Sequence, residues 1–594
     1  MNTFAADDAA LPASNPFAAP STLPYQLPPF DKIGNADFKP AMEAGIAQES
    51  RDFDAIAKNP DAPTFDNTIV AMERAGDLLN RVTTVFYNLT ASNTNDDLEA
   101  LNTEMAPRLS AHNDDILLNP ALFARVNALY EKRDQLGLDA ESRQALERRY
   151  MTFVLAGAKL SEADKVKLKG YNEELSKLTT QFQQNVLKST RDNAVVVDNA
   201  AELDGLSAEQ IGAAAEAAKA RKLDGKWVLT LSNTTTQPLL AQLKNRALRE
   251  KLYRASISRS NGGPADNRPV VAQMVKIRAE RAALLGFPNH AASVLVDEGA
   301  GTPAAVDKML HDLAPAAMAN EKQEAAELQA LIDRQAKAAG SKPFKLQPWD
   351  WQFYAEQVRK AKYAYDEADI KPYFELNHVL QDGVFYTAHE LYGLSFKERH
   401  DLPVYQKDVR VFEVFNADGS PLGLFLADYF ARDNKQGGAW MNEYVTQSHL
   451  LGKKAVVINN LNIPKPADGQ PALLTFDEVT TMFHEFGHGL HGLFSDVQYP
   501  SLAGTNVPRD FVEYPSQYNE MWAAEPAVLK NYARHYQTGA PLPQALLDKV
   551  LAAQKFGEGF ATGEYIAAAM VDMSWHEITP AQAPPADKVM AFEA

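Results

Sequence analysis

The sequence predicts a mostly α-helical fold with a small β-sheet set directly ahead of one decisive helix, and three observations carry that prediction. Helical patterning runs nearly throughout residues 38–188 and returns over 238–285 and 302–339. Strand-like texture is confined to short runs, and those at 404–415, LGLFLADYF and 454–463 crowd together before residue 475. The stretch TFDEVTTMFHEFGHGLHGLF, from Thr475 to Phe494, then combines a helix start, an apolar stripe and an HExxH match.

Composition bounds what such a fold can do. At 594 residues with 45% apolar side chains, the chain can bury a sizeable core and is expected to be a soluble globular protein. A formal charge of −18 argues against a nucleic-acid surface, which needs concentrated Lys and Arg. The absence of cysteine excludes disulfides, thiolate metal sites and cysteine nucleophiles together, so any metal must be held by His and carboxylates. The first residues lack a basic start and an apolar run, and no later segment offers about eighteen uninterrupted apolar residues. A cytoplasmic chain without membrane contact, acting as a monomer, is expected.

Taken in order, residues 1–30 carry NPFAAPSTLPYQLPPF, whose prolines forbid helix and whose aromatics favour an extended arm docked on the body. Residues 31–240 read as a helical N-terminal region with a small hairpin. Its clearest helix starts at Ser161, with Asp164 three residues on, and continues through Tyr171, Leu175, Leu178, Phe182 and Val186. AVVV and KWVLTL flank an alanine-rich helical segment and supply the hairpin or sheet. Residues 241–594 read as the catalytic region, expected to be cut short at its C-terminal end. Within it Gly340 is placed to end the helix that begins at Thr302, and the aromatics of PWDWQFYAEQVRK are read as core anchors. Asn416 to Gly419 makes a turn between two strands, and Gly437 with Gly438 allows close backbone approach, as a plain turn or beside an extended peptide.

The decisive helix is marked by a capping box, Thr475 with Glu478, and by the stripe Phe476, Val479, Phe483, Phe486, Leu490 and Phe494. His484 and His488, four apart, stand on one face beside that stripe and can converge on one cation, with Glu485 beside it. A catalytic zinc site needs a third protein ligand. His491 falls about a turn away and suits a supporting role. The segment GTNVPRDFVEYPSQYNEMW offers Asp510, Glu513 and Glu520; Glu513 is the choice, with Gln517 and Glu520 as supporting partners. Pro508 suits a first helical turn, whereas Pro515 bends the helix or marks a later start.

HEFGHGLHGLF followed by SLAGTNVPRDFVEYPSQYNEMW closely resembles the thimet oligopeptidase family of zinc metallopeptidases, and within it the bacterial peptidyl-dipeptidase branch. NPFAAPSTLPYQLPPFDKI, RAERAALLGFPNHA, PWDW, KPYFEL and KQGGAWMNEYV extend that resemblance along nearly the whole chain. It implies a large helical ellipsoid of two halves around a deep channel, one zinc ion on His484, His488 and Glu513, and Glu485 as general base. It implies zinc-dependent hydrolysis of short peptides, releasing dipeptides from the C-terminal end by a zinc-activated water.

One departure matters. The family's oxyanion donors are Tyr and His residues in a Gly- and Tyr-rich stretch further on, which does not appear before Ala594, and Tyr565 and His576 do not match them. Two alternatives therefore stand beside the peptidyl-dipeptidase: an endopeptidase of the same family, and a peptide-binding chain with weak turnover.

Overall fold

The computed structural model describes residues 11–231, 237–363, 367–467, 469–553 and 555–593. The N-terminal arm docks along its described part: Phe17, Leu27 and Phe30 are buried, and the Tyr25 hydroxyl donates to Glu413 Oε1 at 2.9 Å. Residues 1–10 of the expected arm lie outside the described residues. Helices α1 (Asn35–Ala57), α2 (Asp77–Ser92) and α3 (Asp96–Leu117) share one core with that arm through Phe38, Val82, Phe86 and Leu98. Helix α4 (Glu162–Asp192) begins where Ser161 Oγ accepts the Asp164 N–H at 3.2 Å, and it packs along α3.

The expected pair of short strands forms as β1 (Val195–Val197) and β2 (Trp227–Leu229), antiparallel and separated by α5 (Ala208–Ala220). Then come α6 (Arg268–Leu284), α7 (Pro303–Ala338) and α8 (Pro348–Tyr363). Gly340 follows α7 with φ +64°, the left-handed turn that only glycine adopts without cost. The PWDW segment does anchor a core: Trp351 stacks on Phe560 at 4.6 Å, and the fully buried Asp350 accepts from both Arg246 and Arg249.

The main sheet contains β3 (Ser395–Glu398), β4 (Arg410–Phe415), β5 (Pro421–Phe430), β6 (Trp440–Val445) and β7 (Val456–Ile463), in the order β3-β4-β5-β7-β6. Only β5 and β7 run parallel. Leu424 and Leu426 of β5 face the arm and α2, while Phe425 and Ala427 face the opposite core, so a central strand reads as a continuous apolar run. The strand expected over 404–415 is shorter and starts at Arg410, opposite Ala427, because residues 404–409 have no partner strand. Strands β3 and β6 escape sequence reading: the first is four residues long, and the second is a polar edge strand paired on one side only.

Helix α9 (Phe476–Leu493) covers the second face of the sheet, followed by the short α10 (Tyr514–Glu520) and, later, α11 (Glu558–His576). Buried side chains thus gather into two bodies. One is built on the sheet, α9, the arm and α1–α3, the other on α6, α7, α8 and α11, to which β1, β2 and α5 attach through residues 246–257, and the contacts of α3 with α4 and of α8 with residues 544–553 join them. Among the described residues no helix is long and apolar enough to cross a membrane.

Candidate metal centre

Helix α9 is fixed at its start and along two faces. Thr475 Oγ1 accepts the Glu478 N–H at 3.0 Å while Glu478 Oε2 accepts the Thr475 N–H at 2.8 Å, the reciprocal cap that the sequence predicts. Val479, Phe483, Phe486 and Leu490 are buried, Phe476 partly so, and Phe494 lies past the helix end at 40% exposure. Two asparagines then grip the backbone around the HExxH residues: Asn459 of β7 donates to the Glu485 carbonyl and Asn519 of α10 to that of Phe483, each at 2.6 Å. Sequence reading missed both, since an amide inside an apolar strand or a short helix looks like any other polar residue.

Gly487 is what lets α10 come close. A Cβ there would lie 2.6 Å from Ser516 Cα and 2.8 Å from the Pro515 carbonyl oxygen. Of the two helix starts left open by the prolines, the later one is found: α10 begins at Tyr514 with Pro515 in its first turn, and Glu513 occupies the cap position. The Ser516 hydroxyl lies 2.8 Å from Glu513 Oε2 and donates to it, holding the carboxylate toward α9.

The result is a cluster of three donors. Glu513 Oε2 lies 3.2 Å from His484 Nε2 and 3.1 Å from His488 Nε2, and the three donor atoms are all within 4.8 Å of one another. The imidazole rings meet at 4.9 Å and 82°. Glu520 Oε1 lies 2.5 Å from His484 Nδ1 and accepts its N–H in a hydrogen bond, which leaves the Nε2 lone pair facing Glu513. Lone pairs aimed at a carboxylate oxygen repel unless a cation lies between them. Two imidazoles and one carboxylate suit a divalent ion of the zinc type, and the half-exposed Glu513 leaves one side open to water and substrate.

The field around the cluster is negative. Burial works against a charged His484 ring, yet the Glu520 bond and the charges of Glu485, Glu520 and Glu513 outweigh it and raise its pKa. Burial lowers that of His488. Glu513 is pushed up by burial but held lower overall by Ser516 and the two imidazoles. Glu485 is 4% exposed, its Oε2 has no hydrogen-bond partner, and burial pushes its carboxyl up to about 7. A carboxylate so placed can take a proton from a water beside the cluster and give it up again.

His491 stays outside the cluster with its buried Nδ1 unpartnered, and the exposed Gln517 has no described side-chain bond, so of the supporting partners only Glu520 reaches an imidazole. Asp510 instead accepts the Ala300 N–H at 3.1 Å. Tyr565 is 77% exposed, and His576 bonds to Arg278 in the other body.

Comparison with known proteins adds two findings. The model described as Peptidase family M3 matches residues 239–593. Dipeptidyl carboxypeptidases of Escherichia coli and Salmonella typhimurium are 49% and 47% identical, each over 95% of this chain and 82% of their own length. Oligopeptidase A of Escherichia coli is 33% identical over 90% of this chain and 79% of its own length.

Proposed function

The chain belongs to peptidase family M3, a metallopeptidase family, and from that premise we propose that it hydrolyses short peptides with one zinc ion and releases dipeptides from their C-terminal ends. The observation that carries the reading is the convergence of His484, His488 and Glu513 with the buried, unpartnered Glu485 carboxyl beside them. In it His484, His488 and Glu513 hold the ion. Zinc bound there supplies Lewis acidity, which acidifies water and polarises a carbonyl.

Everything else falls to the protein. Glu485 Oε2 takes a proton from the attacking water and delivers it to the leaving amine. Glu520 keeps His484 in the tautomer that presents Nε2, and Asn459 and Asn519 keep the backbone of α9 from shifting. Release of dipeptides is favoured over internal cleavage by the relatives that are nearly half identical, which carry the name dipeptidyl carboxypeptidase. Internal cleavage is the second reading, favoured by the likeness to oligopeptidase A.

Product masses from a blocked tetrapeptide test the proposal. Zinc-dependent appearance of a C-terminal dipeptide is expected, and fragments independent of distance from the free C-terminus would move the assignment to the endopeptidase. Glu485→Gln is expected to keep zinc and lose at least about a hundredfold in kcat. An unchanged rate would remove Glu485 from the mechanism.

A further inference from the structure

Away from the metal centre, a cavity of about 440 Å³ opens between the N-terminal arm, α1, α2 and the connector that runs from α9 to Glu513. That is the size of many small-molecule sites. Three carboxylates and four cations line it, and the charges do not cancel. The buried Glu73 accepts from Arg149 at 2.7 Å, Asp77 accepts from Lys453 at 2.5 Å and from Arg81, and Glu49 Oε2 lies 2.7 Å from His112 Nε2. Arg74, exposed at the rim, has no ion-pair or hydrogen-bond partner among the described residues. Among the lining side chains the cations thus exceed the carboxylates by one, and Asp52, which accepts the Gly76 N–H at 3.4 Å, stands just outside the lining.

The lining also includes the buried apolar side chains Phe17, Phe53 and Leu79. A further sign comes from the backbone of the arm. Tyr25 and Gln26 are both left-handed at φ +59°, a conformation that is strained for non-glycine residues and that gathers at ligand sites. Gln26 lines the cavity, and the Tyr25 hydroxyl bond to Glu413 holds the pair in place.

We propose that this cavity binds a small carboxylate with an apolar body, the chemistry of the C-terminal end of a short peptide, with the carboxylate on Arg74 and the apolar part against Phe17, Phe53 and Leu79. The wall includes Ser501, whose N–H donates to Glu73 at 3.2 Å and which belongs to the connector leading to Glu513. Occupancy thus bears on the segment that carries the third donor of the metal cluster.

Isothermal titration of the whole chain with N-acetylphenylalanine and with its amide tests this without reading hydrolysis, so failure of the peptidase assignment leaves it standing. The acid is expected to bind the wild type and His488→Ala alike, and the amide to bind neither. Arg74→Gln is expected to weaken the acid at least about tenfold, with partial recovery in Arg74→Lys. Ala19→Trp narrows the cavity from the exposed arm without touching a charge, and it should weaken binding as much. No binding by the wild type, equal binding of acid and amide, or full affinity in either Arg74→Gln or Ala19→Trp overturns the proposal. Loss in His488→Ala alone overturns it as well, because the ligand then sits at the metal cluster.

Discussion

A histidine that offers Nε2 to a cation needs its Nδ1 proton held by something else, and Glu520 does this for His484 at 2.5 Å. Glu520→Gln keeps the shape but removes the negative charge that orients and polarises the ring, so zinc affinity is expected to fall about 10- to 100-fold. Competition against a chelator of known affinity measures it, and an unchanged constant would show that Glu520 is a bystander. A second buried carboxyl sets a pH dependence of stability. Glu443 lies against Gly492 and Gly504, and burial pushes it from 4.5 up to about 7, opposed only by a hydrogen bond with Thr446. Below about pH 4.5 both folded and unfolded chains hold this proton and it costs nothing. Between pH 4.5 and 7 the unfolded chain releases it first, so stability falls as pH rises, by up to about 3 kcal/mol above that window. Glu443→Gln should therefore raise the melting temperature near pH 8 and leave it unaltered near pH 4. A gain of equal size at both would rule out the carboxyl as the cause.

The two elements that make the metal cluster were not equally legible. Helix α9 announces itself through local signals, a reciprocal cap and a stripe at three-to-four spacing, and both depend on residues within one helix. Helix α10 does not, because two prolines allow two starts and only the tertiary fit against Gly487 decides between them. Strand β6 is also silent in the sequence, since an edge strand needs partners on one side only and can carry Asn442 and Glu443 in its middle. The same fit makes Gly487 the sharpest test of how α9 and α10 cooperate. Gly487→Ala drives a methyl to within 2.6 Å of Ser516 Cα, which is backbone and cannot turn aside. The helices must part, at a cost of about 1–3 kcal/mol, and Glu513 moves with α10. Metal analysis after dialysis should show sub-stoichiometric zinc together with a lowered melting temperature. Full zinc occupancy would mean that Glu513 is positioned independently of this contact.

The division into two packing bodies is a property of the whole molecule that helical periodicity cannot foretell, because a stripe says that a helix buries one side but not which neighbour buries it. Besides the long contact of α3 with α4 and the packing of α8 on residues 544–553, the bodies meet at separated polar ties. Arg221, just after α5, places Nε and Nη2 at 3.2 and 3.1 Å from the two oxygens of Asp433, in the loop that leads through Gly437 and Gly438 into β6. The Asp510 N–H donates to Glu298 at 2.9 Å on the connector to Glu513. Arg221 is 19% exposed and Asp433 45%, and Arg221 Nη1 also donates to the Arg191 carbonyl at 3.0 Å, so Arg221→Ala should cost about 1 kcal/mol and lower the melting temperature only slightly. Its effect should fall on access instead. With the two-pronged tie gone, the bodies separate more readily beside β6, and a longer chain can reach the metal cluster. The ratio of kcat/KM for a nonapeptide to that for a tetrapeptide is expected to rise several-fold, while the tetrapeptide value stays near that of the wild type. If both substrates change together, Arg221 acts on the cluster itself or on folding, and the tie does not govern entry.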